Sequence, residues 1–125
     1  MPDVSVVCNK DIIKYNGIHG APDLIVEILS PSTVKYDRAY KKDLYEQHGV
    51  KEYWIVDPKN MTIEVHILTD GKYILDNIYV KHSDHWLKHA SKDELAEVVN
   101  TFKTSLFNDL IIDVREVFEG IDDFE

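Results

Sequence analysis

The sequence predicts an α+β fold, a mixed β-sheet with at least one helix packed on it. Two apolar segments, residues 24–29 (Leu-Ile-Val-Glu-Ile-Leu) and 52–56 (Glu-Tyr-Trp-Ile-Val), read as strands. The first is apolar on both faces apart from Glu27, as in a central strand covered on both sides. Between them runs a segment with helix start and stop signals. After them, two further strand segments flank Asp70-Gly71, a dipeptide favoured in tight hairpins.

Each element has its own signal. Residues 4–8 (Val-Ser-Val-Val-Cys) are a short β-branched run, and Asn16-Gly17 and Gly20-Ala21-Pro22 mark turns. Ser30-Pro31-Ser32-Thr33 breaks the strand before it and supplies N-cap candidates for a helix over residues 34–48, with Gly49 placed to end it. Asp57-Pro58-Lys59-Asn60 closes the next strand. Residues 62–68 alternate, with Ile63, Val65 and Ile67 on one face and Thr62, Glu64 and His66 on the other. A strand follows over residues 72–80. Residues 83–97 lean to helix, with Ser91 and Glu94 at capping-box spacing. Residues 98–103 lean to strand, Ile111-Ile112 is a short apolar pair, and residues 114–119 form a terminal helix.

Length and composition bound the function. The 125 residues fit one domain, 1–125, with no internal repeat or linker. Cys8, the single cysteine, excludes a disulfide framework and a cysteine-based zinc ribbon. No apolar stretch approaches the roughly 20 residues that cross a bilayer, and no signal peptide is visible, so a soluble, cytoplasmic protein without membrane contact is expected. The net charge of −9 speaks against tight sequence-independent binding of nucleic acid, which rests on Lys and Arg neutralising phosphates.

Glu27 demands an explanation, because a carboxylate inside a central strand is costly unless it meets a cation, a metal or several donors. On a strand it shares a face with Asp23 and Ile25. On the following helix, at about 100° per residue from Tyr36, Tyr40 and Leu44 continue an apolar stripe and Asp37, Lys41 and Tyr45 flank it. Lys41 can lean along the helix to the sheet and reach Glu27. Two readings stay open at this point. One is a buried Glu27–Lys41 pair that fixes helix on sheet. The other is a metal site, with carboxylate oxygens holding Mg²⁺ and Lys41 supporting a water or developing phosphate charge.

Four blocks around these residues occur in order: Pro2-Asp3-Val4-Ser5-Val6-Val7; residues 20–33, with Pro22-Asp23-Leu24-Ile25-Val26-Glu27; the Asp37/Lys41/Tyr45 row; and residues 49–58, with Glu52-Tyr53-Trp54-Ile55-Val56-Asp57-Pro58. Together they resemble the Uma family of restriction endonucleases, a branch of the PD-(D/E)XK nuclease superfamily. The resemblance is strong over residues 2–68 and continues more weakly to residues 106–110 and the terminal helix. It implies a restriction-endonuclease-like mixed sheet and metal-dependent endonuclease hydrolysis of DNA phosphodiester bonds, with Mg²⁺ or Mn²⁺ as cofactor. By resemblance Asp3 and Glu27 are metal ligands. Lys41 is the catalytic lysine, moved to the helix, since the usual position two residues after Glu27 holds Leu29. Asp23 and Asp37 are secondary candidates, as metal ligand and as orienter of Lys41. Tyr45 reads as a packing residue with a satisfied hydroxyl.

Relatives carry a further segment before the Pro-Asp strand, so the resemblance implies an N-terminally truncated member. Its first strand would lack a partner and would pair with another chain in a homodimer. The alternative is a catalytically inactive remnant of the nuclease fold acting as a homodimeric interaction module. The negative charge favours that alternative; the joint presence of Asp3, Glu27 and Lys41 favours the nuclease. His82, His85 and His89 have i, i+3, i+7 spacing, which a zinc site or an ordinary surface satisfies. Lys35, Arg38, Lys41 and Lys42 form the basic cluster beside the proposed site.

Overall fold

A computed structural model describes residues 22–30, 39–106 and 110–119 in full, and the backbone of residues 4–6, 13–14, 17–18 and 35–38. The main sheet has the order β1-β4-β5-β6-β7, built from β1 (Val4–Val6), β4 (Leu24–Ile28), β5 (Glu52–Asp57), β6 (Thr62–Thr69) and β7 (Lys72–Val80). Strands β4 and β5 are parallel and the other pairs antiparallel, so the sheet is mixed as the sequence predicts. Helix α1 (Lys35–Gln47) joins the parallel pair, as parallel neighbours require a crossover. Two residues form each strand of a separate small ladder, β2 (Ile13–Lys14) with β3 (Gly17–Ile18). The expectation that the first strand lacks a partner is corrected on one side, where Val4–Val6 pairs with Val26, Ile25 and Leu24, while on its other side β1 borders the sheet among the described residues.

Local chemistry explains the ends of these elements. Gly49 stops α1 at φ +75°, a conformation open to a residue without Cβ, and Val50 N–H bonds back to the Tyr45 carbonyl at 3.1 Å. Asp57 Oδ1 accepts the N–H groups of Lys59 and Asn60, which turns the chain after β5. Asp70 and Gly71 both have positive φ, 51° and 79°, as a type I′ hairpin requires, and Thr69 pairs with Lys72 across it.

The helical stretch expected over residues 83–97 is two helices, α2 (Asp84–His89) and α3 (Lys92–Ala96). The break falls where Ser91 takes an extended backbone to cap α3, with Glu94 closing the predicted capping box. The expected strand near residue 100 is β8 (Thr101–Lys103), and its partner is β9 (Ile111–Asp113), which contains the apolar pair. Helix α4 (Val114–Val117) follows, capped by Asp113.

Alternation along the strands builds two cores. One face sets Leu24, Trp54, Val56, Ile63 and Val65 against Phe102, Val114 and Phe118 from the C-terminal elements. The other joins Ile25, Tyr53, Ile55 and Tyr73 to Tyr45 of α1. Glu27, one residue from the end of β4, lies on the α1 face. Among the described residues no helix is long and apolar enough to cross a membrane.

Candidate active site

Glu27 is 6% exposed, and both of its oxygens have partners from α1. Lys41 Nζ lies 3.3 Å from Oε2, and the Tyr45 hydroxyl donates to Oε1 at 2.5 Å. One helical turn separates Lys41 from Tyr45, so both leave the same face of α1 and descend on one carboxylate. The face that meets the sheet is therefore the Lys41/Tyr45 row. Of the apolar stripe, Tyr40 is 64% exposed and Leu44 half-buried, while Tyr45 is buried at 8%. A buried anion recruits the polar side of the helix, because leaving it without donors costs more than exposing one tyrosine.

The pair is asymmetric. The Lys41 side chain is 36% exposed and that of Glu27 only 8%. The ammonium has three donors, and the direction open to solvent leaves it free to meet a second anion. The Tyr45 ring stands edge-on to Tyr53, with centroids 5.4 Å apart, and Tyr53 stacks on His66 at 5.9 Å. Glu64, 3.4 Å from His66 Nε2, belongs to the same face. It stands opposite Ile55, which in turn stands opposite Glu27.

Of the other sequence candidates, Asp23 lies just before β4, at the opposite end of that strand from Glu27. Its Oδ1 lies 3.4 Å from Lys51 Nζ, away from the Glu27 carboxylate. Asp3 and the side chains of Asp37, Lys35 and Arg38 lie outside the described residues. Of the three histidines, His85 and His89 lie together with ring centroids 4.4 Å apart and His89 Nδ1 2.9 Å from the His85 carbonyl, whereas His82 stacks on Trp86 at 4.0 Å. Among the described residues no three His, Cys, Asp or Glu side chains are placed to hold a metal ion.

Sequence reading missed Glu52, which is completely buried. Its Oε2 accepts Trp54 Nε1–H at 2.7 Å, and its Oε1 accepts the Ser105 N–H at 3.0 Å and hydroxyl at 2.7 Å. These bonds tie β5 to the chain after β8, on the face opposite Glu27. The logic that singled out Glu27 applied here too, because Glu52 and Trp54 share a face of an apolar strand.

The chain, with parallel strands β4 and β5 joined by helix α1 inside a mixed sheet, has a restriction-endonuclease-like fold. It superposes on the crystal structure described as a "putative nuclease belonging to DUF820" from Anabaena variabilis ATCC 29413 with a TM-score of 0.63 and 20% identity, over 94% of this chain and 59% of that one. Residues 1–95 match the Uma2 family, described as "Putative restriction endonuclease", and the chain belongs to that family. An uncharacterized protein of Synechocystis sp., slr1290, is 37% identical over 78 residues, which are 61% of this chain and 41% of the relative. The chain thus spans less than two thirds of either protein.

Proposed function

We propose that the chain is a Mg²⁺-dependent endonuclease that hydrolyses phosphodiester bonds in DNA, acting in the cytoplasm, with Mn²⁺ able to replace Mg²⁺. The observation that carries this reading is the Glu27–Lys41 pair, set at the end of β4 in a member of the Uma2 family. Open α/β sheets place their ligand sites at the carboxyl ends of parallel strands, and Glu27 stands there. Val4, the first residue of β1, stands opposite Val26, next to Glu27, which supports assigning Asp3 to the same site.

Carboxylate oxygens suit a hard divalent cation, and each Glu27 oxygen keeps a lone pair beyond the bond it accepts from Tyr45 or Lys41. Glu27 and Asp3 would hold the ion, which when bound supplies an activated water and polarises the phosphoryl oxygen. Tyr45 fixes the Glu27 carboxylate through Oε1. Lys41 pairs with Oε2 and turns its remaining donors to the solvent side, where they stabilise charge on the phosphate in the transition state. In a homodimer the outer edge of β1, which borders the sheet among the described residues, pairs with a second copy.

A second reading has its own observation: Lys41 and Tyr45 between them occupy both Glu27 oxygens, as a purely structural pair would. Cleavage of plasmid and single-stranded DNA with Mg²⁺ or Mn²⁺ separates the two, using the unmodified chain, Glu27→Ala and Lys41→Ala. Metal-dependent cutting that disappears in both variants supports the nuclease. An inert chain that gains stability in Glu27→Gln supports the interaction module.

A further inference from the structure

Among the described residues strand β7 borders the sheet; it runs for nine residues and exposes Ile74, Leu75 and Ile78. A bordering strand of that length and composition is a template for pairing with another chain. Yet two of its backbone N–H groups are already taken by side chains of its own molecule. Glu46, near the end of α1, accepts the Tyr73 N–H through Oε2 at 2.8 Å, while its Oε1 lies 3.6 Å from Lys72 Nζ. Asn77 Oδ1 accepts the Ile78 N–H at 2.8 Å. In an antiparallel ladder alternate residues turn their N–H groups away from the neighbouring strand. Tyr73 bonds to Glu46 and not to β6, so it belongs to that outward set.

We propose that the β7 edge is a pairing surface for a second copy of this chain, with Glu46 as the latch that closes it. Charge selects the occupant and the register. A two-fold axis at Ile74 sets Ile74 against Ile74, Tyr73 against Leu75, and Lys72 against Asp76 of the second copy. This pairing needs the Tyr73 N–H that Glu46 holds, and it exchanges the Lys72–Glu46 contact for Lys72–Asp76. One carboxylate thus competes for both attachment points. Pairing stops beyond Asp76, where the ladder with β6 shifts register and Asn77 covers the Ile78 N–H. This edge lies at the opposite side of the sheet from β1, and no step of it involves Glu27 or Lys41.

Disulfide trapping tests the proposal. In a Cys8→Ser, Ile74→Cys protein, a two-fold at residue 74 brings the two thiols together, and oxidation then yields a covalent dimer. With Glu46 in place, trapping is slow; Glu46→Ala accelerates it by about tenfold, the factor set by losing one charge-assisted hydrogen bond. Adding Asp76→Lys, which opposes Lys72, reverses the gain. Folded Glu46→Ala protein that traps no faster, or trapping indifferent to Asp76→Lys, overturns the proposal. Should Glu46→Ala not fold, amide exchange in the unmodified chain decides. Protection of the Tyr73 amide supports the latch, and exchange at the unprotected rate overturns it.

Discussion

The Tyr45 hydroxyl and the Glu27 carboxylate, eighteen positions apart in sequence, share a buried hydrogen bond of 2.5 Å that joins α1 to β4. It fixes one carboxylate oxygen inside the core and leaves the other to Lys41 at the solvent margin. The site therefore has a dry, fixed side and a wet, reactive side, and each predicts something different.

Tyr45→Phe removes the donor and keeps the ring against Tyr53. A buried carboxylate oxygen left without its donor costs about 1–3 kcal/mol. Urea unfolding of Tyr45→Phe shows a loss in that range. Glu27→Gln, combined with it, recovers part of the loss, because an amide is cheaper to bury than an ion.

Lys41→Met keeps the aliphatic stem and deletes the charge. Breaking a fully buried pair costs ~3–5 kcal/mol, but Lys41 is partly solvated, so a loss of about 1–2 kcal/mol is expected. A double-mutant cycle with Glu27→Gln, followed by denaturant unfolding, yields a coupling energy of about 1 kcal/mol. Zero coupling would mean that the ion pair contributes nothing to folding.

Glu52→Ala orphans the Trp54 indole N–H and both Ser105 donors at a fully buried position. Several unsatisfied groups at ~1–3 kcal/mol each make this the most destabilising of these substitutions. A red shift of the tryptophan emission, with Trp54 losing its contact to Phe102 at 5.2 Å, reports the detachment of the C-terminal elements.

Acid stability follows from three carboxylates. The Tyr73 N–H, with Lys72 beside it, holds Glu46 below the usual 4.5. The Ser91 N–H does the same for Glu94, and the Arg115 side chain lowers Asp113 from 3.8. A carboxyl whose pKa is depressed by folding stabilises fully above its unfolded value, and that stabilisation disappears as pH falls through the folded one. The melting temperature thus drops below about pH 4.5, and Glu46→Gln flattens part of the drop, as melts from about pH 7 to about pH 3 would show.

The elements with local signals were legible in the sequence. Asp70-Gly71 dictated its turn, Gly49 ended α1, and the Ser91/Glu94 spacing marked a cap, though not that the cap would split the helix. Glu27 and Lys41 were legible as a pair because their periodicities are short and the helix directly follows the strand. Lys41 and Tyr45 were read correctly as reaching the sheet and packing on it, whereas Tyr40 is exposed, because hydrophobicity alone favours burying it and the Glu27 carboxylate draws in Tyr45. Glu52 and Glu46 escaped because their partners, Ser105 and Tyr73, lie 53 and 27 residues away, beyond any local pattern.

Single-turnover cleavage of supercoiled DNA in Mg²⁺, comparing the unmodified chain with folded Glu27→Gln, tests the central claim most directly. Glu27→Gln conserves volume and the bond from Tyr45 while removing the ligand charge. Metal-stimulated cutting by the unmodified chain, slowed by about a hundredfold or more in Glu27→Gln, is the predicted result, matching the loss of several kcal/mol of transition-state charge stabilisation. Cutting at equal rates in the two proteins, or none by the unmodified chain at any Mg²⁺ or Mn²⁺ concentration, would contradict it.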